Sequence, residues 1–166
     1  MCEEHPADLS KKTVIRQAHE DDAAALVRLI NAAFQVERFF LGSDRLNLAE
    51  VRSRMERGVF LLFEDSGGLV GCVYAELRGE RGYIGLLSVE PERQKSGLGR
   101  VLMNAAEQYF REKNCRIAEL RIVNLRTELP PYYRHFGYRE AGTEPFPKEI
   151  PAILPCSFIV MVKELL

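Results

Sequence analysis

The residues of this chain best suited to chemistry form one run, 94–100 (QKSGLGR). They lead into a segment, 97–113, whose apolar side chains recur with the 3.6-residue period of a helix. The first amides of a helix have no partner within the helix, and the helix dipole gives them partial positive charge. The two glycines let the backbone approach a ligand closely, and Lys95 and Arg100 add positive charge. The run therefore predicts a binding site for phosphate or pyrophosphate.

Two widespread phosphate loops do not match this run. The nucleoside-triphosphate loop G-x-x-x-x-G-K-[ST] is absent, because no Lys-Ser or Lys-Thr pair follows Gly99. The dinucleotide pattern G-x-G-x-x-G needs a third glycine, and position 102 is Leu. A nucleotide-binding domain is therefore disfavoured. The plainer alternative is an ordinary turn that begins a helix with two glycines.

The segments around the run predict a sheet that positions it. Segments 59–64 and 69–77 are β-prone and are joined by the hairpin turn Asp-Ser-Gly-Gly, and a second turn leads into an apolar strand at 83–89. A further strand, 116–123, follows the helix. Because a strand, a helix and a strand form a crossover unit, we expect 83–89 and 116–123 to pair in parallel.

The rest of the chain adds helices and outer strands. Helical patterns cover 19–34, 48–57 and 127–134, strands are expected at 13–17, after Gly137 and at 157–163, and 143–155 holds four prolines and predicts an extended loop. The aromatic side chains of segment 35–47 either line a substrate pocket or pack a second small helix onto the core. The predicted fold class is α/β (α+β), with a mixed sheet of six to seven strands flanked by about four helices.

Two motifs carry a resemblance to a known family. The run reads Q-x-x-G-x-G, is preceded by L-x-V-x-P-E-R from Leu87 to Arg93, and resembles the acyl-coenzyme A pyrophosphate loop of the GNAT N-acetyltransferase superfamily. Residues 133–138 (YRHFGY) are similar to the family element Y-x-x-x-G-[FY]. The order of elements matches as well, over nearly the whole chain. The resemblance implies one GNAT domain over 1–166, with a sheet splayed between its two central parallel strands.

The resemblance also implies a reaction and a site. The reaction is acetyl transfer from acetyl-CoA to a primary amine in a ternary complex. The backbone amide of Leu87 would polarise the thioester carbonyl, the strand around it would pair with the pantetheine arm, and Tyr133 would protonate the leaving thiolate. Tyr133 could instead only pack on the cofactor. The implied cofactor-binding residues are Leu87, Ser88, Val89, Gln94, Lys95, Ser96, Gly97, Leu98, Gly99, Arg100, Asn124 and Tyr133.

The chain departs from the family pattern at two places. Asn124 lies two residues farther from Tyr133 than usual, and Arg126 has the usual spacing. Tyr83 stands where some relatives have a catalytic glutamate. Glu76 or Glu119 could act through water, but ordinary burial statistics favour solvated strand residues, so no general base is named. A non-catalytic acyl-CoA-binding or regulatory module is therefore the alternative function.

Composition limits the partners. A net charge of -1 gives no general attraction to nucleic acid or an acidic membrane, and the longest apolar run is too short to span a bilayer. The start of the chain has no apolar secretion signal, so a cytoplasmic protein is expected. No Cys or His spacing suggests a metal, and Cys72 and Cys115 are expected to be core residues.

The acceptor is not specified by the sequence. Amino acids, polyamines, antibiotics and protein N-termini all fit an amine acceptor. The ionic residues of the expected pocket segments are predicted to be solvated surface, and these are Arg38, Arg45, Lys148 and Glu149. A homodimer formed through an exposed terminal strand is a further expectation.

Overall fold

A computed structural model describes residues 14–166, which contain one seven-stranded mixed sheet. In chain order the strands are β1 (Val14–Gln17), β2 (Val59–Asp65), β3 (Gly68–Arg78), β4 (Arg81–Val89), β5 (Ile117–Val123), β6 (Arg139–Pro145) and β7 (Ser157–Glu164). Across the sheet they stand in the order β1-β2-β3-β4-β5-β7-β6. Among the strands of residues 14–166, only β4 and β5 pair in parallel, as the crossover unit predicts. The expected first strand is present from Val14, and Thr13 lies outside the described residues.

Residues 14–166 also form five α-helices, and the longer ones follow the apolar periodicity of the sequence. The five are α1 (Ala23–Ala33), α2 (Arg38–Leu41), α3 (Leu48–Arg57), α4 (Leu98–Glu112) and α5 (Leu129–Arg134). On α4, Leu102, Met103, Ala106 and Phe110 are all fully buried, at i, i+1, i+4 and i+8. That apolar face packs on β3 and β4. Helices α1 and α3 pack on the opposite face of the sheet with a second buried cluster.

The two central strands separate part-way along their length. Pairing of β4 with β5 runs from Arg81 and Ile117 to Ile84 and Leu120, and no later residues of the two strands pair. Beyond that point β5 stays paired with β7, while β4 stays paired with β3. The expected splay between the parallel strands is confirmed. It opens the sheet at the end where β4 leads towards residues 94–100.

The last strands differ from the sequence-based expectation. Strand β6 continues through Pro145, so the proline-rich loop begins after it and not at Thr143. Strand β7 pairs with both β5 and β6, so the terminal strand is interior to the sheet and has no open edge. The expected route to a homodimer through an exposed terminal strand is therefore wrong. Sequence periodicity could not reveal this, because β6 and β7 add to the sheet in reverse chain order.

The two cysteines in apolar sequence patterns lie where they were expected. Cys72 and Cys115 are buried, and burial raises the pKa of both thiols, that of Cys72 to about 12. They are core residues, as predicted. Among residues 14–166, no helix is long and apolar enough to cross a bilayer. The same residues contain no His, Cys, Asp or Glu cluster with the arrangement of a metal site.

Candidate active site

A cavity of about 690 Å³ lies where β4 and β5 separate. One wall is made by β4 from Tyr83 to Leu87 and by Val89, and the facing wall by β5 from Leu120 to Val123. The loop and first turn of α4 line one end, and Tyr132 and Tyr133 of α5 lie beside them. The site is therefore built at the edge of the sheet where the two parallel strands end, which is the usual place for ligands in such sheets.

A β-bulge distorts β4 within this wall. Gly85 pairs with Tyr74 and Ser88 pairs with Cys72, so that Leu86 and Leu87 together face the single residue Val73. Leu86 has a φ of 52°, which is rare for a residue other than glycine. Because β5 has already separated from this part of β4, the side of the strand facing the cavity has no neighbouring strand. Leu87 thus lines the cavity on an edge of β4 that β5 does not cover.

The loop before α4 has the geometry of an anion site. Gly97 precedes the helix with a φ of 86°, a left-handed conformation that glycine adopts at little cost. Val101 makes the first helical hydrogen bond, to the carbonyl of Gly97. Within the described part of the chain, the backbone amides of 94–100 have no hydrogen-bond acceptor. They are not tied up internally, and positive side chains at Lys95 and Arg100 line the same cavity.

Two tyrosines of α5 flank this loop. Tyr133 is buried with its ring edge-on to those of Tyr132 and Tyr138, and burial raises the pKa of its phenol above the ordinary value. The neighbouring Tyr132 lines the cavity as well. A Cβ on Gly99 would lie 2.2 Å from the hydroxyl of Tyr132. Glycine at position 99 thus makes room for this tyrosine.

The cavity also carries charged side chains that sequence reasoning missed. Glu37, at the end of a 3-10 turn (Phe34–Glu37), is buried and accepts a hydrogen bond from Arg126 Nη1 at 3.1 Å. Burial raises the pKa of its carboxyl group, and the nearby guanidinium of Arg126 opposes that rise. Arg45 lines the same region and is partly buried, so the prediction of a solvated Arg45 is wrong. Tyr83 lines the cavity too, with the Arg78 guanidinium 4.0 Å over its ring.

Some predicted site residues are placed elsewhere. Ser88 is buried and donates to the carbonyl of Leu86, the Ser96 hydroxyl donates to the carbonyl of Arg93, and Asn124 Oδ1 accepts from the amide of Ser157. None of the three lines the cavity, whereas the remaining predicted cofactor residues do. Glu76 and Glu119 also lie outside it. Both pair with arginines and are mostly buried, so the prediction of solvated carboxylates is wrong for them.

Comparison with known proteins decides the family. A model of the acetyltransferase (GNAT) family matches residues 23–138, which is more than two thirds of the chain and includes the loop and both tyrosines. The chain belongs to the GNAT acetyltransferase family. Members of this family use acetyl-CoA as co-substrate, and the family resemblance derived from the two motifs is confirmed.

Individual relatives are distant. The chain is 29% identical to the uncharacterized N-acetyltransferase YhfO of Bacillus subtilis over 136 residues, covering 76% of this chain and 89% of that protein. It is 25% identical to mycothiol acetyltransferase of Propionibacterium freudenreichii over 150 residues, covering 84% of this chain. The matched part is only 47% of the length of that mycothiol enzyme.

Solved structures share the GNAT fold. Ard1 from Thermoplasma volcanium superposes with a TM-score of 0.77 at 17% identity, covering 93% of this chain and 99% of that one. The ribosomal-protein-S18-alanine N-acetyltransferase of Escherichia coli superposes with a TM-score of 0.74 at 14% identity, covering 92% and 94%. These similarities confirm the predicted fold of this GNAT protein.

Proposed function

We propose that this protein transfers an acetyl group from acetyl-CoA to a primary amine. The observation that carries the proposal is the set of unpaired backbone amides at 94–100, at the mouth of a cavity between two separated parallel strands. Such amides, at a helix start with Lys95 and Arg100 beside them, suit the pyrophosphate of CoA. The narrow space between β4 and β5 suits its extended pantetheine arm.

The proposed roles follow from the cavity wall. Bound acetyl-CoA supplies a thioester, whose carbonyl carbon is the electrophile. The free side of β4 around Leu87 and Val89 offers backbone groups that can pair with the pantetheine amides in the manner of an added strand. The Leu87 amide, in the bulge, is proposed to donate to the carbonyl oxygen as negative charge develops there.

Tyr133 is proposed to donate a proton to the departing sulfur. Because burial raises the pKa of its phenol, this group is fully protonated throughout the physiological pH range. A proton donor must hold its proton until the thiolate forms, and the buried phenol meets that requirement. The acceptor amine would enter from the side of Glu37 and Arg45, lose its ammonium proton to solvent, and attack as the neutral amine. Its nitrogen would release a second proton to solvent as the carbon–sulfur bond breaks.

A CoA-binding and a thiol-release assay test this proposal together. We expect CoA to raise the melting temperature of the protein, and acetyl-CoA with a panel of amines to release free thiol. Stabilisation by CoA without thiol release from any amine would support the alternative, a non-catalytic acyl-CoA-binding module, which the tyrosine at position 83 favours. Absence of stabilisation by CoA would contradict both functions.

A further inference from the structure

The acceptor side of the cavity carries three guanidinium groups, which differ in whether they are paired with a carboxylate. Arg126 bonds to Glu37 at 3.1 Å and to Glu128 at 2.9 Å. Arg121 lies 2.8 Å from a carboxylate oxygen of Glu144. Arg45 forms no ion pair or hydrogen bond with any group in residues 14–166. Arg45 is therefore the cation on this wall that the described part of the protein leaves without a bonded counter-ion.

The surroundings of the Arg45 guanidinium favour the binding of an anionic ligand. The guanidinium lies 5.6 Å from the ring centre of Phe34, and burial lowers the pKa of the group, with the nearby carboxylate of Glu37 opposing the change. A partly buried cation has lost part of its hydration, and an anionic ligand would supply the hydrogen bonds that the described residues do not. A guanidinium is planar and binds a carboxylate through two parallel hydrogen bonds. The open cavity in front of Arg45 can admit such a ligand.

Glu37 provides the second contact of the same site. Its carboxylate is buried and held by Arg126, and it faces the cavity on the side where Arg45 lies. A fixed carboxylate attracts an amine in its ammonium form and accepts hydrogen bonds from it. Arg45 and Glu37 therefore offer a positive and a negative group within one pocket, a pattern complementary to a ligand that carries both charges.

We propose that the acceptor is an amine that also carries a carboxylate, with its carboxylate at Arg45 and its amine at Glu37. This inference rests on the proposed acetyltransferase function and names the acceptor class for the same site. A single carboxylate matches the single unpaired guanidinium. A phosphate would bring a second negative charge close to the Glu37 carboxylate, where like charges repel.

Matched amines test the inference. Each free amino acid is compared with its carboxamide and with the corresponding decarboxylated amine, and O-phosphoethanolamine represents the phosphate ligand. Thiol release from acetyl-CoA gives kcat and KM for each compound. We expect the best substrates among the free amino acids, with kcat/KM falling about tenfold or more when the carboxylate becomes a carboxamide, because a charge-assisted hydrogen bond is lost.

Variants connect that preference to the residue. In Arg45→Gln the kcat/KM ratio between acid and carboxamide should fall to near one, while Arg45→Lys should retain part of it. Arg38→Gln serves as the matched control, because Arg38 is exposed on the same segment, pairs with Asp44 and does not line the cavity. It should keep the wild-type ratio. Stabilisation by CoA, measured for each variant, verifies that the fold and cofactor site are intact.

The outcomes separate failure of the inference from failure of the proposed function. If amines without a carboxylate are acetylated as well as or better than the free amino acids, the inference is wrong and the acetyltransferase function stands. The same conclusion follows if O-phosphoethanolamine is preferred, or if Arg45→Gln keeps the acid preference. If CoA binds but no amine in the panel is acetylated, the acetyltransferase function fails and the inference fails with it.

Discussion

The hydroxyl of Tyr133 belongs to the second family motif, and it lies buried on the cavity wall. In Tyr133→Phe the ring is retained and only the hydroxyl is lost, so packing against Tyr132 and Tyr138 should persist. We expect kcat to fall about 100-fold, in the range typical of general acids, while the affinity for CoA stays within about twofold. Steady-state kinetics and calorimetric titration with CoA check the two quantities. An unchanged kcat would remove Tyr133 from the mechanism.

A substitution at Gly97 tests the proposed anion site. A glutamate there would add negative charge and bulk beside the amides of the loop, so Gly97→Glu should abolish CoA binding. Gly79→Glu is the matched control. Both glycines have positive φ and open space where a Cβ would stand. Each substitution should therefore destabilise the folded backbone by the same amount, about 1–2 kcal/mol. Thermal shift with CoA should vanish in the first variant and persist in the second. Equal CoA binding by both variants would contradict the proposed loop.

At the scale of elements, helix α4 packs closely on β4 because the glycine at position 82 has no side chain. A Cβ on Gly82 would lie 2.3 Å from Cγ of Phe110, which is fully buried. Gly82→Ala should therefore push α4 away from the strand and lower the free energy of unfolding by about 1–3 kcal/mol, as overpacking does. Gly142→Ala is the control, because a Cβ there meets open space and the backbone φ is not positive. Urea denaturation of both variants measures the difference, and a Gly82→Ala protein as stable as the control would contradict the close approach.

Strand β1 is fixed to its neighbours by a charged cluster whose effect depends on pH. Arg16 bonds both carboxylate oxygens of Asp22 at 2.8 Å and one oxygen of Glu64 at 2.6 Å. The hydrogen bonds from Arg16 lower the pKa of Asp22 to about 2, against a usual value near 4. Because the folded pKa is the lower one, the stabilisation is complete above about pH 4 and is lost as pH falls towards 2.

Asp22→Asn should therefore reduce the free energy of unfolding at neutral pH by about 1–2 kcal/mol, a value discounted for the partial exposure of the pair. The difference from wild type should shrink between pH 4 and pH 2. Urea denaturation over that range measures it. Asp21→Asn, at the exposed neighbouring position, should give a curve parallel to that of the wild type. A difference between Asp22→Asn and wild type that stays constant down to pH 2 would contradict the assignment.

Elements with a clear apolar period could be predicted from the sequence. The cavity residues that were not predicted lie in elements without such a period. The apolar stripe of α4, the hairpin at Ser66 and Gly67 and the crossover to β5 each follow from local chemistry, and the structure has all of them. Segment 34–47 folds into a 3-10 turn and the one-turn helix α2, which have no period to detect. Phe40 packs into the core and Phe39 is exposed, and neither lines the cavity, so the alternative in which these aromatic side chains form a substrate pocket is wrong.

The acceptor side of the site depends on contacts between distant parts of the chain. Glu37 meets Arg126 across 89 positions of sequence, and that pairing decides that a carboxylate is buried in the cavity. No local pattern encodes such a contact, which is why a buried Glu37 and a cavity-facing Arg45 were not predicted. The phosphate loop, by contrast, is contiguous in sequence, and its residues could be named from their spacing alone.

At the scale of the whole molecule, the sheet consists of two parts joined by a short parallel seam. One part contains β1 to β4, the other contains β5, β7 and β6, and only four residue pairs connect β4 with β5. Beyond Ile84 and Leu120 the cavity replaces the ladder of hydrogen bonds. A ligand in this gap would contact both parts and bind only the folded state.

CoA should therefore stabilise the molecule as a whole and protect the open ends of both central strands. At 100 times its dissociation constant, CoA should add about 2.7 kcal/mol to the free energy of unfolding, which corresponds to a rise of roughly 5–10 °C in melting temperature for a domain of this size. Hydrogen exchange should slow at 85–89, where β4 has no neighbouring strand on its cavity side, and at 94–100, where the amides have no partner within residues 14–166. Adenosine 3′,5′-bisphosphate lacks the pantetheine arm and serves as the control ligand, which should leave exchange at 85–89 unchanged. Protection by CoA confined to the loop, with none at 85–89, would mean that the arm does not enter the space between the strands.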